Sequence, residues 1–331
     1  MRNLTNSQYK NFKTMCRLTQ TQLSNLLVKF LRKKNYDVIA TEDYIIGIGD
    51  IPIALVAHMD TVFVEEARDI YYDREQSIMW SPQGLGADDR AGIFAITEIL
   101  REGYKPHVIF TTDEEVGCIG AQKLVHQMPE KPFEMKYMVQ LDRRGSVDCV
   151  FYDMDDEKFE QYIASFGFVP AVGTFSDISV IAPKWGVGAV NLSVGYKNEH
   201  TTSETLNIHN LLETIDKVEQ MLLSAETAPT FEFVSPYSFG FWDEFYSEEC
   251  DFCKKSFYPY EVILALTADG QGYVGVCPDC VVGRVNWCTE CKEAYVKNPN
   301  QKKAECPSCR AKKKKGDKIT NEYFKSRVGS N

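Results

Sequence analysis

The sequence predicts an α/β fold: a three-layer αβα sandwich on a mixed, mostly parallel sheet, with a small C-terminal domain of the four-cysteine zinc-ribbon type. Three observations carry this expectation. Short apolar runs alternate with stretches in which apolar residues recur every three or four positions. Histidines and acids follow directly after several of the apolar runs, at the strand ends where open α/β sheets form their ligand crevice. Finally, eight of the 11 cysteines fall between Cys250 and Cys309, whereas Cys16, Cys118 and Cys149 are scattered through the preceding chain.

The elements follow in order. Leu18, Leu23, Leu26, Leu27, Phe30 and Leu31 predict a helix over 16–34. Val38–Ala40 and Tyr44–Ile48 read as strands around the Glu42-Asp43 turn. Ile53 to Asp60, IALVAHMD, reads as a buried strand ending in His-Met-Asp. Tyr71–Trp80 suggests a strand or hairpin, and Gly84, Gly86 and Gly92 mark a sharply turning backbone before a helix over Ala91–Leu100. Further strands are expected at His107–Thr112, Met135–Leu141 and Gly188–Val194, with helices at Phe159–Phe166 and Leu211–Leu223.

Composition bounds the function classes. A chain of 331 residues with 44% apolar residues is long enough for one large or two smaller domains. A net charge of −10 argues against bulk attraction to nucleic acid or anionic membrane. No apolar run reaches the ~18 residues of a membrane span, and MRNLTNSQYKNFKTM lacks the apolar centre of a secretory signal, so a cytoplasmic location is expected. Pro229 and Pro236 lie in an extended connector. The expected division is a catalytic domain over 1–228, a linker over 229–249 and a zinc-binding domain over 250–331 with a basic tail.

His58, Glu114, Glu115, Asp142 and His200 each lie at or just past an expected strand end, and Asp88 in the glycine-rich turn can reach the same rim. Asp60 shares a side of the strand with His58 and can accept its second ring N–H, leaving the other nitrogen for a metal. Two histidines with three or four carboxylates suit one or two zinc ions with an open position for water. Asp88 or Asp89 can bridge such a pair. Of the adjacent Glu114 and Glu115, one can hold metal while the other moves the proton; the spacing does not say which.

The ordered set His58-x-Asp60, Gly86-Ala87-Asp88-Asp89, Glu114-Glu115, Asp142 and His200-Thr201-x-x-Glu204 resembles the co-catalytic zinc exopeptidases, which include peptidase T, carboxypeptidase G and bacterial leucyl aminopeptidases. The resemblance spans about residues 20–225. It implies that His58, Asp88 and Asp142 hold one zinc, that Asp88, Glu115 and His200 hold the other with Asp88 bridging, that Asp60 orients His58, and that Glu114 is the general base. It also implies a cis Asp88–Asp89 peptide. Cobalt or manganese can occupy such ligands too. Only 57 residues, 143 to 199, separate Asp142 from His200, expected to hold a helix and two strands. That leaves no room for the lid and dimerisation domain of the peptidase T branch. The expected substrate is a peptide or an acylamino compound, cleaved in the manner of an aminopeptidase or amidohydrolase.

Four knuckles, Cys250-x-x-Cys253, Cys277-x-x-Cys280, Cys288-x-x-Cys291 and Cys306-x-x-Cys309, give a strong signal for two structural zinc ions. Sequential pairing, first with second and third with fourth, is favoured because Tyr260–Val276 reads as a hairpin between two knuckles; a cross-braced pairing is the alternative. The Arg310–Lys315 run and the aromatics Tyr258, Tyr260, Tyr273 and Trp287 permit nucleic-acid contact, but a protein-docking role fits at least as well. Two function classes follow: a two-zinc exopeptidase or amidohydrolase with a zinc-ribbon adaptor, or an inactive peptidase fold whose ribbons do the binding. The intact set of seven metal and catalytic positions favours the enzyme.

Overall fold

The computed structural model describes residues 2–235, 248–257, 262–298 and 305–313. The chain divides into two compact units, Met1–Pro236 and Tyr237–Asn331.

The first unit opens with helices α1 (Asn6–Met15) and α2 (Gln20–Lys33) and strands β1 (Asp37–Ala40), β2 (Tyr44–Ile48) and β3 (Ile51–His58). The hairpin β4 (Tyr71–Asp73) and β5 (Ile78–Trp80) precedes α3 (Ala87–Arg101), β6 (Pro106–Thr111), α4 (Ile119–Gln127) and β7 (Tyr137–Arg143). Then come β8 (Asp148–Val150), α5 (Glu157–Ala164), β9 (Val169–Pro170), α6 (Asp177–Trp185) and β10 (Ala189–Ser193). The unit closes with β11 (Tyr196–Lys197), β12 (Thr205–Asn207) and α7 (Ile208–Leu223).

Eight strands form one sheet in the order β1-β2-β6-β3-β7-β10-β8-β9, whose central neighbours β6, β3, β7 and β10 run parallel. β3 shows why its sequence is apolar from Ile53 to Ala57. Ile53, Leu55 and Ala57 pack into one core with α1, α2, α3 and α7, while Ala54 and Val56 pack into a second core with α4 and α6. Both faces of the strand are covered, as a central parallel strand requires. The result is the expected three-layer αβα arrangement.

Local chemistry explains the elements that periodicity missed. α1 has few apolar residues, but Thr5 and Gln8 form a reciprocal capping box and Phe12 and Met15 are buried. α2 begins at Gln20 rather than at residue 16, because Thr19 and Gln22 form a second capping box there. Leu23, Leu27 and Leu31 then form its buried stripe. Residues 143–199 hold more than the expected helix and two strands: α5, α6 and β8 to β11 account for them.

A second, antiparallel sheet, ordered β11-β12-β5-β4, stands apart from the first. His200 comes from the loop between β11 and β12, so it is not at an end of the main sheet. Gly195 makes the departure from β10 possible: it adopts φ +99°, and a Cβ there would lie 2.6 Å from the Asn207 carbonyl oxygen. Among the described residues, no helix is long and apolar enough to cross a membrane.

In the second unit, β13 (Glu248–Glu249) pairs with β14 (Ser256–Phe257). A four-stranded sheet follows, made of β15 (Ile263–Leu266), β16 (Tyr273–Val276), β17 (Val285–Trp287) and β18 (Ala294–Val296), with α8 (Pro278–Arg284) between β16 and β17. The sheet carries a small core on each face. Ala265, Val276, Val285 and Ala294 pack with Phe252 and Cys280 on one, and Leu266 and Tyr295 pack with Cys288, Cys306 and Cys309 on the other. Tyr258, Tyr260, Lys314 and Lys315 lie outside the described residues; Tyr273 and Trp287 are exposed.

α3 approaches the sheet closely at Gly92, where a Cβ would sit 2.0 Å from the Leu141 carbonyl oxygen. Gly92→Ala is expected to destabilise the first unit by about 3 kcal/mol, the upper range for overpacking. Chemical denaturation checks this, and a loss under about 0.5 kcal/mol would contradict the close packing.

Candidate metal centre

His58 is the last residue of β3, Asp142 the last but one of β7, and Glu114 and Glu115 lie in the turn that follows β6. These are adjacent parallel strands, so three segments distant in sequence meet at their carboxyl ends. Asp88 comes from the start of α3, where Asp88 and Asp89 are non-helical and joined by a cis peptide bond. His200 reaches in from the second sheet's loop with φ +62°.

Two triads result. His58, Asp88 and Asp142 offer ligand atoms that all lie within 4.8 Å of one another, and so do Asp88, Glu115 and His200. Asp88 belongs to both. Its Oδ1 lies 3.1 Å from His58 Nε2, and its Oδ2 lies 3.1 Å from His200 Nε2. His58 Nε2 is also 3.6 Å from Asp142 Oδ1, and His200 Nε2 is 3.0 Å from Glu115 Oε2. On its other side His58 Nδ1 lies 3.1 Å from Asp60 Oδ1. Glu114 is in neither of these, but with His58 and Glu115 it forms a third group whose ligand atoms lie within 4.8 Å of one another, and its Oε2 stands 3.9 Å from His58 Nε2. Asp89 takes no part in the triads: it accepts the Gly92 N–H at 2.9 Å and the His58 N–H at 3.3 Å.

Several supporting residues had no signal in the sequence. The Asp142 carboxylate accepts hydrogen bonds from Gln140 at 3.1 Å, Ser176 at 2.9 Å and Tyr196 at 3.1 Å. Asn191 accepts the Asp142 N–H at 2.9 Å. Arg90 is buried and donates to the Met59 and Leu18 carbonyls. Asp177, buried at the start of α6, accepts from Thr111. Gln140 and Arg90 lie two residues from the ligands Asp142 and Asp88, whereas Ser176, Asp177, Asn191 and Tyr196 reach the site only through the fold.

The electrostatics are those of a site short of positive charge. Burial pushes the Glu114 carboxyl up to about 10, helped by the charge of Asp142. Burial and the neighbouring Asp88 raise Asp142 to about 6. Hydrogen bonds to Asp88 and Glu115 raise His200 to about 11. For His58, burial alone would lower the pKa, but Asp60 and Asp142 outweigh it and raise it. Glu115 Oε1 is buried with no hydrogen-bond partner. Crowded carboxylates, two imidazoles facing one aspartate and an orphaned carboxylate oxygen together fit a pair of divalent cations, whose charge would favour the ionised acids.

The second unit offers two further clusters. Cys250, Cys253, Cys277 and Cys280 form one; Cys288, Cys291, Cys306 and Cys309 form the other. The grouping is sequential. The two clusters are built alike: Lys254 and Lys292 follow the first knuckle of each with φ +62°. The Cys277 N–H donates to Cys250 Sγ at 3.4 Å, and the Cys306 N–H donates to Cys288 Sγ at 3.2 Å. Burial opposes ionisation of Cys250 and Cys288, but backbone N–H donors outweigh it and hold both thiols down to about 6. Four converging thiols, one readily ionised, suit tetrahedral Zn²⁺.

A pH dependence follows for the metal-free protein. His58, His200, Glu114 and Asp142 all hold protons to higher pH in the folded chain than their ordinary values allow. The folded state therefore binds more protons than the unfolded state between about pH 5 and pH 9, and its stability falls as pH rises. Thermal unfolding of chelator-treated protein is expected to show the first unit's midpoint dropping across that window. A midpoint that rises would contradict the crowded-acid account.

Residues 54–157 match the family model described as Peptidase family M20/M25/M40. No curated protein sequence matches the chain. Among solved structures, aminopeptidase PepT from Bacillus cereus ATCC 10987 aligns with TM-score 0.54 at 16% identity, over 66% of this chain and 98% of that one. A tripeptidase from Staphylococcus aureus subsp. aureus Mu50 aligns with TM-score 0.54 at 15% identity, over 67% and 98%. The TET aminopeptidase from the marine sediment archaeon Thaumarchaeota archaeon SCGC AB-539-E09 aligns with TM-score 0.52 at 12% identity, over 66% and 97%. The sequence match and the shared fold support a peptidase hydrolase, and in its first unit the chain resembles the M20-type co-catalytic zinc exopeptidases.

Proposed function

We propose that the first unit is a two-metal exopeptidase of aminopeptidase type, acting on a peptide or acylamino substrate. The observation that carries this reading is the single carboxylate of Asp88 facing an imidazole on each oxygen. His58, Asp88 and Asp142 would hold one ion and Asp88, Glu115 and His200 the other. When bound, a pair of zinc, cobalt or manganese ions supplies Lewis acidity toward the scissile carbonyl and toward a water.

The chain's own residues supply the rest. Glu114 is the general base: its carboxylate takes the proton of the attacking water at Oε and returns it to the leaving amine. It stands outside the two triads that share Asp88, although it converges with His58 and Glu115, and its backbone N–H is held by Asp60 Oδ1 at 3.0 Å. Asp60 also faces His58 Nδ1, which leaves Nε2 directed at the triad. The three donors to Asp142 hold that carboxylate in one orientation. The residues from 144 to 199 are used by β8 to β11, α5, α6 and their connections, so a lidless enzyme is the reading that suits them.

The eight clustered cysteines would bind two structural zinc ions, which would supplement the two small hydrophobic cores of this unit.

Glu114→Gln is expected to lower kcat by at least about 100-fold while zinc content stays that of the parent, because a base is lost and no ligand. Near-normal turnover on aminoacyl amides would remove Glu114 from this role. Asp88→Ala is expected to lose both ions of the catalytic pair and keep the cysteine-bound ones, by elemental analysis. Retention of either catalytic ion would contradict bridging. A chain ending at Pro236 is expected to stay folded and active; aggregation would show that the second unit supports the first.

A further inference from the structure

Glu204 lies four residues after His200, in the loop that leads into β12, and it is fully buried at 0% exposure. A carboxylate placed there costs free energy unless hydrogen bonds replace its lost water. Both its oxygens are used, and both are used on the backbone of one segment. Oε2 accepts the Ala87 N–H at 3.1 Å and Oε1 accepts the Asp88 N–H at 3.1 Å. That segment starts α3, whose N-cap is Gly86 at φ +65° with no side-chain capping bond. The N–H groups that a local serine or aspartate usually satisfies are met instead by a carboxylate 117 residues away in sequence.

Asp60 repeats the arrangement on the other side of the centre. Its two oxygens accept the N–H groups of Glu114 and Glu115, both at 3.0 Å. In each case a non-ligand carboxylate, carried close behind a ligand histidine, clamps two consecutive peptide groups of another ligand-bearing segment. Asp60 ties the His58 strand to the Glu114–Glu115 turn. Glu204 ties the His200 loop to the Asp88 turn.

We propose that Glu204 is a positioning residue of the metal centre: it locks the Ala87–Asp88 backbone to the His200 loop and so fixes the bridging aspartate between the two cations. This rests on the two-metal reading above. Glu204 itself belongs to neither triad. Because Asp88 is common to both triads, loosening this clamp weakens both ions together. Loosening a residue that supports Asp142 alone, such as Tyr196, acts on a single triad.

The test uses the full-length chain with Zn²⁺ and, for its visible spectrum, Co²⁺. Parent, Glu204→Gln and Glu204→Asp proteins are stripped and reloaded in competition with a chelator. Glu204→Gln preserves the shape but offers an N–H₂ where an acceptor is needed; Glu204→Asp keeps the charge but is one methylene shorter, and serves if the first variant does not fold. The parent is expected to bind four ions per chain. Either folded variant is expected to hold the two cysteine-bound ions unchanged and to bind both catalytic ions about 10- to 100-fold more weakly, with an altered Co²⁺ spectrum. A lower unfolding temperature with parental affinities and spectrum would show that Glu204 only supports the fold and would overturn the proposal. Weakening of one catalytic ion alone would also overturn it, since Asp88 serves both. A parent that binds only two ions would instead overturn the two-metal reading itself.

Discussion

One carboxylate shared between two imidazoles is the constraint on which the rest of the first unit depends. His58 and His200 reach Asp88 from two different sheets, each at 3.1 Å and each on its own oxygen. To place them so, the parallel strands must end together, the small antiparallel sheet must turn its loop back, and α3 must begin irregularly at Asp88 and Asp89. The acids gathered around this point repel one another and resist ionisation when buried. The cluster is costly by itself, and it makes physical sense as a receptacle for positive charge.

The second theme is that carboxylates here serve as backbone anchors as well as ligands. Asp60, Asp89 and Glu204 each accept main-chain N–H groups of segments that carry ligands. An anchored turn loses little freedom when a ligand engages, which is the general advantage of preorganisation. The same logic holds Asp142, whose carboxylate is occupied by three side-chain donors.

Much of this was legible in the sequence, and the reasons are specific. β3 is apolar from Ile53 to Ala57 because both of its faces are covered, so it stood out as a buried strand with His58 at its end. His58, Glu114, Glu115 and Asp142 could be read because each sits at or just past a strand end, and the full ordered set to Glu204 was legible through its resemblance to a known family. The cysteine knuckles needed only their spacing. What could not be read were elements specified by local capping, such as α1 with Thr5 and Gln8, and residues whose partners are distant. Ser176, Asp177, Tyr196 and Asn191 carry no motif; only the folded chain brings them to Asp142 and Thr111. His200 was expected beside a strand of the main sheet, but the Gly195 turn sends it to the second sheet instead.

The most direct test of the shared-carboxylate account is anomalous diffraction at the zinc edge from crystals of the zinc-loaded chain. Two peaks flanking the Asp88 carboxylate, one on the His58 side and one on the His200 side, are the predicted result. Peaks confined to the cysteine clusters, or a single peak that leaves one histidine without metal, would contradict it.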